Sequence, residues 1–194
     1  MTKLFAILLL ALSLPALAAL EVAGVKFEDT AKVGAGDTVI NGAGMRGLLF
    51  LKGYAMALYL PQKAAATADV LTMKGVKRIR IVLLRDASGE TFAGSLVSGM
   101  QKNHSEQEIV ALNSRIEAFR ATMLGVGTVA KGAVVDLDWL PDVSGGVTRL
   151  TVKGDKKGED VAGEDFYRAL LKIWLGDKPI QDDLKDRLLG RAAS

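Results

Sequence analysis

The sequence predicts an α+β domain in which helices gather on one face of an antiparallel sheet. The prediction rests on the order of the patterns: strand-like alternation comes first, a helical block follows, and strands and then helices complete the chain. That order argues against βαβ winding. The chain contains no cysteine, so burial of apolar side chains must stabilise the domain without disulfides.

The N-terminus has the three parts of a secretory signal peptide. Lys3 gives a short positive region, residues 4–14 are almost entirely apolar, and Pro15 precedes the small-residue site Ala16-Leu17-Ala18. We expect cleavage after Ala18, because the apolar run is too short for a comfortable membrane anchor. The predicted organisation is a signal peptide over 1–18 and one domain over 19–194. We therefore expect a periplasmic or secreted protein with no integral membrane segment after cleavage.

The first half of the domain alternates in a way that is typical of strands. Residues 21–43 read as short strands with glycine turns. The apolar run 46–60 predicts one long strand, or two strands with a bend near Gly53. A short helix is expected over 64–73, and a strand with one solvated face over 76–84.

The middle of the chain changes to helical periodicity. Helices are predicted over 88–103 and 105–124, and Ser105 with Glu108 forms a capping box at the start of the second. Its apolar residues share one face. They are Ile109, Leu112, Ile116, Phe119 and Met123.

The last third returns to strands and then ends in helices. After a loop over 125–132, residues 133–140 and 147–153 predict a hairpin, with the charged residues 153–157 in a turn beyond it. An amphipathic helix is predicted over 164–175 and stops at Gly176. A short helix over 181–189 completes the domain.

Several familiar sites are disfavoured. The formal net charge of +3 is mild and its basic residues are scattered, which argues against a nucleic-acid partner. His104 is the only histidine, so a zinc site or a Ser-His-Asp triad is not expected, and no cofactor is predicted. The run Gly42–Gly47 matches G-x-G-x-x-G, but a strand-like run follows it without the required acid. We interpret it as a glycine turn into a strand.

Charged residues on the predicted strands are interpreted as solvated faces. Asp136 and Asp138 alternate along one strand, and Lys77, Arg78 and Arg80 along another. Solvation is a simpler explanation for such residues than catalysis.

Arg46 is the candidate with the clearest chemistry. It enters a run that is otherwise apolar apart from Lys52, where a guanidinium must be paired or must face a cavity that holds an anion. Tyr54 lies eight positions later, which in a regular strand places both side chains on one face. Together they could hold a carboxylate at the mouth of an apolar pocket. The residues alone also allow an internal salt bridge from Arg46.

Two stretches around these residues resemble the chalcone isomerase superfamily, and in particular its exported bacterial chalcone isomerase-like branch. They are Asn41–Arg46 and Lys52–Pro61. The resemblance continues through three further motifs: Leu84-Arg85-Asp86, Trp139-Leu140-Pro141 and the terminal signature from Gly163 to Pro179. It implies an open-faced antiparallel β-sandwich with a helical layer on one face and a ligand cleft between them.

The resemblance also implies the loss of isomerase chemistry. Arg46 matches the arginine that steers substrate in the plant enzymes, whereas Tyr54 stands at their threonine. Phe92, Gly99 and Ile173 stand where those enzymes have a tyrosine, an asparagine and a second polar residue. The hydrogen bonds that the cyclisation would need are therefore missing. The plant relatives that bind fatty acids pair an arginine with a tyrosine in the same strand.

We therefore expect a periplasmic, non-enzymatic binding protein for a fatty acid or a similar amphipathic carboxylate. The expected contacts are Arg46 and Tyr54 to the carboxylate, with apolar walls from Phe50, Met56, Phe92 and Leu96. No metal and no cofactor are expected. Two alternatives stay open: an isomerase or lyase with an unidentified periplasmic substrate, and a structural or protein-interaction module.

Overall fold

The computed structural model describes residues 19–48 and 51–192. The predicted signal peptide over 1–18 and the predicted wall residue Phe50 lie outside these ranges. The strands are β1 (Leu20–Val22), β2 (Val25–Phe27), β3 (Thr30–Val33), β4 (Gly36–Leu48), β5 (Leu51–Leu60), β6 (Lys77–Leu83), β7 (Ala87–Ser88), β8 (Thr128–Val129), β9 (Val134–Leu140), β10 (Val147–Val152) and β11 (Asp155–Ala162). The helices are α1 (Thr67–Thr72), α2 (Gly89–Lys102), α3 (Glu106–Val126), α4 (Glu164–Leu175) and α5 (Asp182–Leu188).

Seven strands form one antiparallel sheet in the order β11-β10-β9-β6-β5-β4-β3. One face packs against the helices and buries the larger apolar cluster, which includes Leu58, Ile81 and Trp174. The other face is covered in part by the β1–β2 hairpin, whose Phe27 packs with a smaller cluster around Tyr59. The predicted α+β class is therefore confirmed, with an open-faced antiparallel sheet and helices on one side.

The helical predictions agree best with the structure. α4 has the predicted bounds, and it buries Phe166, Leu170 and both Ile173 and Trp174. The Ser105–Glu108 capping box opens α3, with each residue bonded to the backbone N–H of the other. α3 continues two residues into the predicted loop, and α1 is shorter than predicted.

The apolar run 46–60 is divided between two strands. β4 and β5 pair as a hairpin whose break lies between Leu48 and Leu51, so the bend near Gly53 was wrong. The Gly42–Gly47 motif lies inside β4 and is not a turn. Added Cβ atoms at Gly42 and Gly44 would meet α5 at 2.0 Å and 2.8 Å. These glycines therefore allow α5 to lie directly on the strand.

The C-terminal hairpin prediction is confirmed, but it omitted a strand. β9 pairs with β10 as expected, and the chain then turns at Lys153-Gly154 into β11. β11 carries exposed polar residues along most of its length, because it is one of the two edge strands of the seven-stranded sheet. A strand without an apolar face does not produce the alternation from which strands are predicted.

Three charged strand residues are buried, contrary to the prediction of solvated faces. Asp136 and Asp138 are 6% and 4% exposed, and Lys77 is 1% exposed on the helix-facing side of β6. Arg78 binds both carboxylate oxygens of Asp138 at 2.6 Å, and Arg80 binds those of Asp136 at 2.8 Å. The long arginine side chains cover the shorter carboxylates and exclude water from them.

Candidate functional site

A cleft of about 560 Å³ opens between the helix-facing side of the sheet and the helical layer. Its walls are mainly apolar and come from β6, α2 and α4 together with Ile180. The apolar wall residues are Leu83, Phe92, Leu96, Ile173, Trp174 and Ile180. Arg46 and Tyr54 also line the cleft, and exposed residues such as Leu51 and Arg85 mark its mouth. The volume lies within the range of small-molecule sites.

Arg46 and Tyr54 are direct partners across the β4–β5 hairpin. Residues opposite each other in an antiparallel pair project from the same face of the sheet. The prediction that they share a face is therefore confirmed, although the reason is cross-strand pairing and not their spacing along one strand. The hairpin brings a cation and a phenol to the same wall of the cleft.

Gln181 holds Arg46 in position. The Arg46 Nη1 donates to the Gly47 carbonyl at 2.9 Å and to the Gln181 Oε1 at 3.2 Å. The same Oε1 accepts from the Gly47 N–H at 3.1 Å, and the Gln181 Nε2 donates to the Met45 carbonyl at 3.3 Å. Gln181 lies immediately before α5, so the C-terminal helix fixes the arginine on the strand.

The Arg46 guanidinium is not neutralised by an acid within the described ranges. No described carboxylate lies within 4.0 Å of it, in contrast to the arginines at 78, 80, 115 and 149. A guanidinium has five N–H donors, and here the two on Nη1 are in use. The donors on Nε and Nη2 remain for an anion, and together they match the two oxygens of a carboxylate.

Tyr54 is held by Trp174 and keeps its own proton available. The Trp174 indole Nε1 donates to the Tyr54 hydroxyl oxygen at 2.9 Å. No described residue accepts from that hydroxyl. Burial raises the pKa of Tyr54 to about 12, partly offset by the indole hydrogen bond and by the charge of Arg46. The phenol is therefore a neutral hydrogen-bond donor at physiological pH.

Only some of the predicted wall residues line the cleft. Phe92 and Leu96 of α2 line the cleft. Met56 does not line it: the residue is 1% exposed and packs in the larger apolar cluster, because β5 is buried from Ala55 to its end. Ile173 lines the cleft, whereas Gly99 lies against Ile173, where an added Cβ would come within 2.7 Å of its Cγ2.

Two residues that position the site were not identified from the sequence. Gln181 and Trp174 lie more than a hundred residues from Arg46 and Tyr54, and only the packing of α4 and α5 brings them together. Trp174 lies in the terminal signature of the family resemblance, from Gly163 to Pro179. That signature was the one sequence feature that could have indicated a role for Trp174 in the site. Nothing in the local sequence distinguishes Gln181 from a solvated residue at a helix start.

Residues 19–48 and 51–192 contain neither a cluster of metal-ligating side chains nor a helix that could span a membrane. No three His, Asp or Glu side chains in these ranges lie close enough together to hold a metal ion. No helix in the same ranges combines the length and the apolar character that a bilayer crossing needs. His104 is partly buried, and its Nδ1 lies 2.8 Å from the Met100 carbonyl, away from the cleft.

Comparisons with known proteins give one family and one fold. A family model described as chalcone isomerase-like matches residues 19–190. The crystal structure of a fatty-acid binding protein of Arabidopsis thaliana superposes with a TM-score of 0.64 at 14% identity, over 86% of this chain and 92% of that chain. At this identity the likeness shows the fold alone. No curated protein sequence matches the chain significantly.

Proposed function

Because the chain belongs to the chalcone isomerase-like family, we propose that it binds a fatty acid or a similar amphipathic carboxylate as a non-enzymatic carrier. The proposal rests on one observation: Arg46, without a described acidic partner, lines an apolar cleft of about 560 Å³. The fatty-acid binding protein of similar fold is consistent with this reading. The ligand's carboxylate would lie at Arg46, with its chain along the apolar wall.

The head-group contacts follow from the free donors. Arg46 offers the N–H groups on Nε and Nη2, and Tyr54 offers its hydroxyl proton. Both act in a partly buried wall, where charge-assisted hydrogen bonds are stronger than in water. Gln181 and Trp174 hold these donors in place before a ligand arrives, which lowers the entropy lost on binding.

The same geometry argues against an enzyme. With a pKa of about 12, Tyr54 is poorly matched to proton transfer near neutral pH. The hydroxyls of Ser88, Thr91 and Ser95 near the mouth are bonded to the helix that carries them. No histidine lines the cleft. Binding without turnover is the function that these groups support best.

We also propose that the protein acts in the periplasm, on the basis of the signal-like sequence over 1–18. A periplasmic carrier would give an amphipathic acid a protected route through an aqueous compartment. Fractionation of cells that express the full chain would test this. Recovery of the full-length, uncleaved chain from the cytosol would contradict it.

Calorimetric titration with palmitate below its micellar concentration tests the binding proposal. Arg46→Ala should weaken binding about 10- to 100-fold, because a hydrogen bond to a charged group contributes about 1.5–3 kcal/mol. Arg120→Ala, which removes an exposed arginine of α3, is the matched control and should leave affinity unchanged.

Methyl palmitate serves as a second ligand control, since it keeps the chain and loses the charge. It should bind the wild type no better than palmitate binds Arg46→Ala. Equal affinity of palmitate for the wild type and Arg46→Ala would refute the proposal, as would equal affinity of the wild type for the acid and its ester.

A further inference from the structure

Four exposed cations surround the end of the sheet at which the cleft opens. They are Lys52, Arg85, Lys131 and Lys153, here called the basic rim. Each comes from a different strand end or connection. Backbone hydrogen bonds from Leu84 to Gly53, from Gly132 to Leu83 and from Lys153 to Val134, at 2.8–3.0 Å, place these segments side by side.

The basic rim is not neutralised by its neighbours. None of its four side chains forms an ion pair with a described residue, whereas the sheet's outer arginines are bonded to aspartates. The acids at this end are Asp86, Glu90 and Asp155, together with Asp182 and Asp183 beside Gln181. Asp86 accepts from the backbone N–H of Lys131, and Asp155 lies 3.6 Å from the Lys157 Nζ. The described carboxylates at this end therefore leave all four rim side chains without an ion pair.

Exposed leucines accompany these cations. Leu51 at the start of β5 is 61% exposed and lines the cleft mouth. Leu124 near the end of α3 is 40% exposed, and this helix end adjoins the start of α2, where the Gly89 N–H donates to the Gly127 carbonyl. Cations interspersed with exposed apolar side chains are the surface chemistry that binds anionic bilayers.

We propose that the basic rim docks the protein on an anionic phospholipid bilayer, with the cleft mouth facing the lipid. This inference rests on the proposed function, because an amphipathic acid partitions into bilayers and a carrier must collect it there. Lysine and arginine side chains would contact lipid phosphates, and Leu51 and Leu124 would enter the headgroup layer. A ligand could then pass between bilayer and cleft without crossing open water.

The test is cosedimentation of the ligand-free protein with vesicles. One set is pure phosphatidylcholine, and the other contains about one quarter phosphatidylglycerol. The triple variant Lys52→Gln, Lys131→Gln, Lys153→Gln removes three cations that do not line the cleft. The matched control is Lys63→Gln, Lys102→Gln, Lys178→Gln, which removes three exposed lysines that belong neither to the basic rim nor to the cleft lining.

The wild type should bind the anionic vesicles and lose most of that binding at about 0.5 M salt. A cation near an anionic surface contributes about fivefold, so the rim triple should bind on the order of 100-fold more weakly. The control triple should bind like the wild type. Equal losses in the two triples, or no preference of the wild type for anionic vesicles, would overturn the docking proposal. An acidic protein partner would then be the remaining occupant.

Palmitate titration in the absence of lipid separates this proposal from the binding function. The rim triple should bind palmitate as the wild type does, because Arg46 and Tyr54 are unchanged. Vesicle docking without palmitate binding would refute the proposed function alone. Palmitate binding without vesicle docking would refute the docking surface alone.

Discussion

Lys77 occupies an unusual position for a lysine. Its side chain lies under α4 on the helix-facing side of β6, and its Nζ donates to the Met73 carbonyl at 2.5 Å. Burial lowers the pKa of Lys77 to about 8, with Glu164 opposing the shift and Arg168 and Lys74 adding to it. The charged form is therefore retained at neutral pH at a cost in folding free energy.

This cost predicts a pH-dependent stability. Between pH 8 and about 10.5 the unfolded chain keeps the lysine proton that the folded chain has released, so the free energy of unfolding rises with pH in that window. We expect the wild type to gain up to about 3 kcal/mol relative to Lys77→Met across it. Urea unfolding followed by circular dichroism at several pH values measures the difference.

Lys63→Met is the control for that measurement, because Lys63 is exposed and is not among the charges that act on Lys77. Its stability difference from the wild type should stay nearly constant from pH 8 to 10.5. A wild-type curve parallel to that of Lys77→Met would show that the lysine is solvated in the folded state.

A functional residue can be predicted from the sequence when its side chain is exceptional within its own segment. Arg46 stood out against an apolar run, and the structure places it in the cleft. Lys77 did not stand out, because it lies in a strand with two further cations, Arg78 and Arg80. Which of these charges is buried depends on which face of the strand packs against α4. The sequence of the segment alone does not determine that face.

At the scale of elements, β6 and β9 are joined by ion pairs on their outer face. Arg78 and Asp138 are 13% and 6% exposed as side chains, and a contact of 3.6 Å links Arg78 to Asp136 as well. Directly opposed charges on neighbouring strands fix the register of the pair. Their desolvation makes the loss of one partner more costly than the loss of both.

Asp138→Ala should therefore destabilise the protein by about 3–5 kcal/mol, because Arg78 would remain buried without its carboxylate. The double variant Arg78→Met, Asp138→Leu should recover most of that loss. Asp37→Ala removes an exposed pair with Lys32 and should cost less than about 1 kcal/mol. Chemical denaturation of the four proteins tests this. A loss for Asp138→Ala as small as that for Asp37→Ala would contradict the buried pair.

Helices and strands could be predicted where apolar residues recur with a clear helical or strand period. The amphipathic helix α4 was predicted to the residue, since its apolar stripe and the following Gly176 mark both face and end. The break between β4 and β5 was predicted too late in the sequence, near Gly53. The apolar sequence continues past Leu48 without a residue that is typical of turns. β11 was omitted because edge strands expose both faces and lose the alternating pattern.

At the scale of the whole molecule, the C-terminal helix couples the fold to the cleft. The Asn41 Nδ2 donates to the Leu188 carbonyl at 2.7 Å, which joins β4 to α5 across 147 residues. Gln181, immediately before the same helix, holds Arg46. The sequence alone could place α5 as a helix but could not place it on β4, since such contacts arise only when the layers assemble. For the same reason the arginine could be predicted and its support could not.

Gly42→Ala should test this coupling. Its Cβ would lie 2.0 Å from the Arg187 carbonyl oxygen and 2.8 Å from that of Leu188, so α5 must shift away from β4. We expect a loss of about 1–3 kcal/mol in the free energy of unfolding. Palmitate affinity should also fall severalfold, because Gln181 would move away from Arg46.

Gly94→Ala is the control. Gly94 is an exposed residue of α2, and a Cβ there would meet nothing within 4 Å. The substitution should add about 0.5–1 kcal/mol to the free energy of unfolding without changing palmitate affinity. If Gly42→Ala lost stability but kept full affinity, Arg46 would be oriented by β4 alone and not by the helix docked on it.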